Sequence, residues 1–488
     1  MTSVINNNNN NDNKIKAKTY SATAPGKVIL FGEHAVVYGV PAVACCLSGL
    51  RVQVDICIKT IESLYEEGPM FHINLENINK DMDDSNSIKI SFPTTNFMDK
   101  TKITQRPISW STVESSMPLG QILDVDLMKD IENMIITKSL TNPALKNNKG
   151  AANAFINLIY LATNILNIYQ PPYDTKKSIF VNVRSLGLPI GAGLGSSAAF
   201  SVATAASLLS TRFSNIGGGD LDQSFGEMNV KISSSNEQDT LDINENNSNS
   251  IIDNTYIPNK HMLELINSWA HIGEKIMHGN PSGLDNTIST FGGTLSFRKD
   301  LENSGKPIFS KIPNCPALRT LITNTKVPRE TKVLVANVRK LKEEKQEYVD
   351  NIWKGIDEIV NTFQNLVTDE EKMGKDDEYL YKSISSLFER NQNLLRNVGV
   401  SHPSLEIVCN HSKKFGFITK LTGAGGGGCA VTLLGIENVS TSGKDESNMK
   451  TKIKELMETL KIKEQFDCFE CDIGGPGVRL NRVVVEEK

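Results

Sequence analysis

With 488 residues, 39% of them hydrophobic, the chain can bury a large core and fill more than one domain. A net charge of −4 excludes the global basic character of a nucleic-acid binder. No apolar run approaches the ~18–20 residues that span a bilayer, and MTSVINNNNNNDNKIKAK lacks the apolar centre of a secretory signal, so the expectation is a cytoplasmic protein acting on small molecules, with no nucleic acid or membrane as partner.

In chain order, residues 1–18 are Asn-rich and are expected to be disordered. Lys27-Val28-Ile29-Leu30-Phe31 reads as a strand, and Gly32 turns the chain so that Glu33 and His34 follow at its end. Polar groups in such a turn can line a ligand site, although a Lys entering a strand also suits a solvated edge. Arg51–Ile58 and Ile179–Val183 read as further strands, rich in β-branched residues. The glycine-rich stretch PIGAGLGSSAA (Pro189–Ala199) runs into a helix over Ser197–Leu209. The tract from Ser214 to about Asn259 is polar and poor in core formers, which predicts an insertion looped out between two helices; Ser440–Asn448 reads the same way. Over His261–Met277, Met262, Leu265, Ile266, Trp269, Ile272 and Ile276 make one apolar helical stripe, with Glu274 off it. A Gly/Asn/Pro/Ser turn then delivers Asp285 and Asn286. Lys332–Ala336 is predicted as a strand and Tyr379–Asn397 as a helix. Cys468 and Cys471 form a C-x-x-C without a second pair, better placed on a strand than on a metal, and the eight cysteines show no disulfide spacing. Helices and strands intermix throughout, which argues α+β or α/β.

The glycine loop excludes two familiar nucleotide fingerprints. Its glycines fall as G-x-G-x-G rather than G-x-G-x-x-G, and no Lys follows Gly195 as a P-loop requires. What remains is a loop opening onto a helix N-terminus, where unpaired N–H groups and the helix dipole form an anion site. The hydroxyls of Ser196 and Ser197 could add a phosphate donor or a Mg²⁺ ligand, or simply cap the helix. Glu274 and Asp285 could divide metal binding and proton acceptance between them, or mark an ordinary helix end and N-cap. In Leu421-Thr422-Gly423-Ala424-Gly425-Gly426-Gly427-Gly428-Cys429, four successive glycines between core residues point to close backbone approach rather than to a linker.

Taken together and in this order, these motifs resemble the GHMP superfamily of small-molecule kinases. Within it, APGKVILFGEHAVVYG, GAGLGSSAA, IMHGNPSGLDNTISTFGG, LITNTKVPR and KLTGAGGGGC resemble the mevalonate kinase family, over about Tyr20 to Gly477. The resemblance implies an α+β fold with a ribosomal-S5-like N-terminal domain (residues 19–310), a ferredoxin-like C-terminal domain (311–488) and the active site between them. It implies ATP as donor, mevalonate as acceptor, Mg²⁺ as cofactor and a homodimer. Asp285 matches the catalytic base and Lys27 its partner, which also meets ATP; Ser197 and Glu274 match the Mg²⁺ ligands. Gly191, Ala192, Gly193, Leu194, Gly195, Ser196 and Ser197 match the ATP phosphate loop, Ser185 and Asn77 match nucleotide contacts, and Glu33 and His34 resemble the acceptor-binding turn. Two other functions stay open on sequence: another kinase of the superfamily, such as one acting on phosphomevalonate, and a non-catalytic nucleotide or sugar sensor. The stretch Phe31–Val40 holds no Lys or Arg for a phosphorylated acceptor, and none of Lys27, Ser197, Glu274 and Asp285 is missing, as a sensor would allow.

Overall fold

The computed structural model describes residues 17–60, 69–76, 87–94, 123–146, 148–168, 177–213, 254–301, 307–313, 315–369, 377–436 and 443–483. Its spine is an antiparallel pair of long strands, β1 (Ala17–Phe31) and β2 (Ala42–Thr60). Residues 20–28 of β1 are all buried, because both faces of this strand are covered. That explains why KVILF is a continuous apolar run instead of an in–out alternation. Two helices, α4 (Ser196–Phe213) and α6 (Leu284–Phe291), pack on β1. At its end, the Phe31 ring lies 5.2 Å from Phe363 and 5.6 Å from Phe388, on the helices α8 (Gln346–Thr368) and α9 (Asp377–Asn397).

Beside β2 runs β5 (Lys177–Leu186), then β3 (Met70–Leu75) parallel to it, with β4 (Ile88–Pro93) outermost. Across β1 lie β13 (Arg479–Val483) and β6 (Asn254–Tyr256). The hairpin of β7 (Thr294–Lys299) and β8 (Pro307–Lys311) pairs with the first residues of β2. A second group, in the order β10 (Ile418–Leu421), β11 (Cys429–Ile436), β9 (Leu318–Asn324) and β12 (Asp467–Ile473), joins the spine where Ile473 pairs with Leu47. The remaining described helices are α1 (Val125–Thr141), α2 (Pro143–Lys146), α3 (Lys149–Ile168), α5 (Lys260–His278), α7 (Thr331–Glu344), α10 (Pro403–Lys414) and α11 (Gly443–Ile462). The architecture is a mixture of helix and sheet, as expected for an α+β protein. Among the described residues no helix is long and apolar enough to cross a membrane.

Most predicted elements fall where the sequence put them, including Cys468 and Cys471 on β12, both buried. Lys332–Ala336 is an exception: it opens α7 rather than a strand. Val333 and Val335 are exposed, while Leu334 and Leu341 are half-buried and Val338 is buried, a helical spacing. The local β-branched run is overridden by the helix formers of RKLKEE that follow. The polar tract ends earlier than predicted, since residues 254–256 are β6 and the Asn259 side chain caps α5 by accepting from Met262 N at 3.0 Å. Residues 443–448, predicted as loop, begin α11. Ala17 and Lys18, predicted in the tail, already pair with Lys59 and Ile58. Residues 1–16 and 214–253, with the predictions made for them, lie outside the described residues, as does Asn77.

Arg51 ties the return of the chain to the spine. Its buried guanidinium donates to Thr23 Oγ1 at 3.1 Å, Thr23 O at 2.9 Å and Gly477 O at 2.6 Å, with longer bonds to Ser48 O and Pro476 O. Burial and the neighbouring Arg479 lower its pKa to about 10. Arg51→Met should keep the apolar stem but strand these carbonyls, at ~1–3 kcal/mol for each buried acceptor left unmet. The expected result is a lower urea midpoint with an unchanged m-value; an unchanged midpoint would remove this anchor.

Candidate active site

The glycine loop is fixed to the spine by one backbone bond, Lys27 N donating to Leu194 O at 2.8 Å. Gly193 and Gly195 take φ values of 82° and 72°, and each has a neighbour where a Cβ would go. At Gly195 that atom would sit 3.0 Å from Lys27 Cγ; at Gly193 it would sit 1.9 Å from the Arg329 guanidinium. Ser196 closes its own loop, its Oγ accepting from Gly191 N at 3.3 Å. Ser197 points elsewhere: its hydroxyl donates to Glu274 Oε2 at 3.4 Å and lies 2.9 Å from His278 Nε2. Ala192 and Leu194 are buried and line neither of the cavities described below.

Glu274 reaches Ser197 because α5 lies unusually close to its neighbours. A Cβ at Gly273 would come within 2.8 Å of Ser201 Oγ and 2.9 Å of Asn157 Nδ2, so only glycine allows this approach. The sequence placed Glu274 off the apolar stripe; it is nonetheless 3% exposed, since α5 is buried without a break from Trp269 to Glu274. Burial, reinforced by the charge of Asp285, pushes its carboxyl up to about 8, against the lowering influence of Ser197 and Lys27. Its Oε1 is buried and has no hydrogen-bond partner. Asp285 stands in the first turn of α6, two residues after the Pro281–Gly283 bend, with Gly283 rather than Asp285 at the N-cap. Lys27 Nζ lies 3.3 Å from Asp285 Oδ1. Behind it, Asn286 Nδ2 donates to Asn267 Oδ1 at 2.7 Å, which holds the start of α6 against α5.

Two adjoining cavities meet at Asp285, with Lys27 on the side of the first. One, of about 470 Å³, is lined by Lys27, Glu33, His34 and Glu274; the other, of about 540 Å³, by Val52, Ser185, Gly195, Ser196, Ser197 and Phe200. Gly193, His278, Asp285 and Arg329 border both. A group passing from one cavity to the other would pass Asp285. The Ser185 hydroxyl donates to Leu188 O at 2.7 Å and so shapes the mouth of the second cavity.

Glu33 and His34 do line the first cavity, but both carboxylate oxygens of Glu33 and the Nε2 of His34 are already engaged. Lys420 Nζ forms a buried ion pair with Glu33 Oε1, and Asn391 Nδ2 donates to Glu33 Oε2 at 3.1 Å. Burial raises the Glu33 carboxyl and lowers the Lys420 ammonium, each opposed by its partner. His34 is held at φ 60°, with Nε2 2.8 Å from Ala424 O, and burial lowers its pKa.

Sequence reasoning passed over Arg329, His278 and Lys420. Arg329 was part of LITNTKVPR, and a signal was present in an Arg set by Pro328 between a strand and a helix start, a loop position suited to ligand contact. His278 and Lys420 also lie in quoted motifs, IMHGNPSGLDNTISTFGG and KLTGAGGGGC, but their partners across the site are set only by the fold.

No family profile matches the chain. It is 32% identical to the mevalonate kinase of Candida albicans, over 93% of this chain and 88% of that one. It is 33% identical to the mevalonate kinase of Dictyostelium discoideum, over 95% and 97%. Among solved structures it is similar in fold to L. major mevalonate kinase in complex with R-mevalonate, at 19% identity, a TM-score of 0.52 and coverage of 93% and 95%. With a glycine loop on a helix N-terminus, an Asp bordering two cavities with a Lys beside it, and this likeness over nearly its whole length, the chain belongs to the mevalonate kinase family.

Proposed function

We infer that the protein transfers the γ-phosphoryl group of ATP to a hydroxyl of mevalonate, giving 5-phosphomevalonate. The observation that carries this reading is Asp285 at the junction of the two cavities, paired there with Lys27 from the first. ATP would occupy the larger cavity, with its phosphates over Gly191–Ser197 and the N-terminus of α4; mevalonate would occupy the other.

Phosphoryl transfer passes through a loose transition state, so placement and charge neutralisation carry most of the catalysis. Asp285 is placed to hold the acceptor hydroxyl and take its proton as the new P–O bond forms. Lys27 puts a positive charge where the alkoxide develops, and Arg329 adds another at the border the phosphoryl group crosses. The donor set also suits Mg²⁺: Glu274 Oε1 is a buried carboxylate oxygen with no partner, and the Ser197 hydroxyl meets the other oxygen, Oε2, of the same carboxyl. Among the described residues no cluster of three or more His, Cys, Asp or Glu could hold a metal alone. Two protein ligands with phosphate oxygens and water completing the shell is the usual arrangement for Mg²⁺ at a nucleotide. Bound there, the ion supplies charge neutralisation of the triphosphate.

We also propose the two-domain division, an S5-like half to about residue 310 and a ferredoxin-like half after it, and a cytoplasmic homodimer. Light scattering of the purified chain tests the dimer. Gly193→Ala tests the phosphate loop: left-handed backbone costs ~1–2 kcal/mol for a residue with a Cβ, before any displacement of Arg329. The expected result is a raised ATP KM with a smaller rise in the acceptor KM, since Gly193 and Arg329 border both cavities, read by steady-state kinetics. The function itself is tested by ADP release with mevalonate, with phosphomevalonate and with neither. Turnover with mevalonate supports the reading; turnover only with phosphomevalonate replaces it.

A further inference from the structure

The segment leading into the four-glycine run lies along the end of β1 and touches it repeatedly. The Thr422 hydroxyl accepts from Ile29 N at 3.1 Å and donates to Ile29 O at 2.9 Å. Ala424 O meets His34 Nε2 at 2.8 Å. Between these contacts, Lys420 reaches Glu33, and its ammonium also donates to Leu421 O at 2.6 Å. Leu421 N is in turn bonded to Gln392 Oε1 at 2.9 Å. The ion pair is sealed from water: both side chains are 0% exposed, and the ammonium lies 6.0 Å from the Phe388 ring centroid, beside Phe31. Immediately downstream the glycine run encloses Arg329, which a Cβ at Gly428 would meet at 2.3 Å.

We propose that Glu33 and Lys420 form an internal latch that positions the acceptor cavity, and that Glu33 acts through Lys420 instead of binding the acceptor. With one carboxylate oxygen taken by the ammonium and the other by Asn391, Glu33 has its two oxygens committed inside the protein. The latch fixes Leu421–Ala424 against Ile29–His34, and this seam forms one wall of the acceptor cavity, where Ile29, Glu33, His34, Gly423 and Ala424 all appear. None of these residues lines the nucleotide cavity. The inference rests on the acceptor reading given above.

Its test is a cycle of four full-length proteins: wild type, Glu33→Gln, Lys420→Met and the double variant. Removing one partner leaves the other buried and uncompensated, whereas removing both leaves a neutral pair of similar volume, often tolerated. Lys420→Met should raise the KM for mevalonate by about tenfold or more, since small misplacements at a reacting site are expensive, while the KM for ATP stays within about twofold. A general loss of stability would not separate the two substrates in this way. The double variant should recover much of the acceptor KM, and should decide the matter if Lys420→Met alone does not fold. A wild-type acceptor KM in Lys420→Met overturns the latch. So does a double variant that fails to fold, or one no better than Glu33→Gln, which is the pattern of a direct acceptor ligand. Failure of the acceptor reading is seen separately, as a wild-type arm without mevalonate-dependent turnover.

Discussion

Asp285→Asn is expected to fold, to bind Mg·ATP as the parent does, and to lose about 10²–10⁴ in kcat, the usual worth of a positioned general base. The substitution is nearly isosteric. It keeps the first turn of α6, whose N-cap is Gly283, and the Asn286–Asn267 bond behind it. What it removes is the charge facing Lys27 Nζ at 3.3 Å and the oxygen able to take a proton. Because the proton leaves late in a loose transition state, the loss should fall towards the smaller end of that range. Nucleotide binding, measured by fluorescence titration, should change little, since the phosphate loop is fixed independently by Lys27 N to Leu194 O. Normal turnover in this variant would take the base assignment away from Asp285.

Glu274→Gln should shift the Mg²⁺ requirement upward by more than the ~10–100-fold seen when only an outer-shell partner of a metal is lost. Activity should return in part at high Mg²⁺, with the ATP KM following the metal. An unchanged Mg²⁺ titration would place the ion elsewhere. The same substitution should act oppositely on the metal-free protein. In a chelator, the Glu274 carboxyl is raised from 4.5 to about 8 by burial and by Asp285. As pH rises above 4.5 the unfolded chain gives up this proton before the folded one does, so folding is progressively penalised until about pH 8. Gln removes that penalty, and its thermal midpoint in chelator should exceed the parent's at neutral pH. The variant would then be more stable and less active, as expected for a group kept at a cost in stability.

The candidate site residues were legible in the sequence because they sit in local patterns. Glycines between Pro189 and Ser196, a charged residue at the head of KVILF, and an acidic residue after a Pro–Ser–Gly turn are each read from neighbouring residues. What was not legible depends on which faces are covered. Glu274 is off the apolar stripe in sequence yet buried, because Gly273 lets a third helix approach. Lys332–Ala336 has strand-like residues, but their exposure and the stronger helix signal downstream decide its form. Glu33 shows the same limit at the site itself. Its position in the turn was evident, whereas its partner, Lys420, is 387 residues away and only strand placement joins them.

The central claim is that this chain moves a phosphoryl group across the Lys27–Asp285 junction onto mevalonate. The most direct measurement is incubation of the purified protein with γ-labelled ATP, Mg²⁺ and mevalonate, followed by identification of the labelled product. Label is expected on mevalonate as a phosphate monoester, in amounts matching the ADP formed. Label released only as inorganic phosphate, or no ADP above the mevalonate-free control, would contradict it.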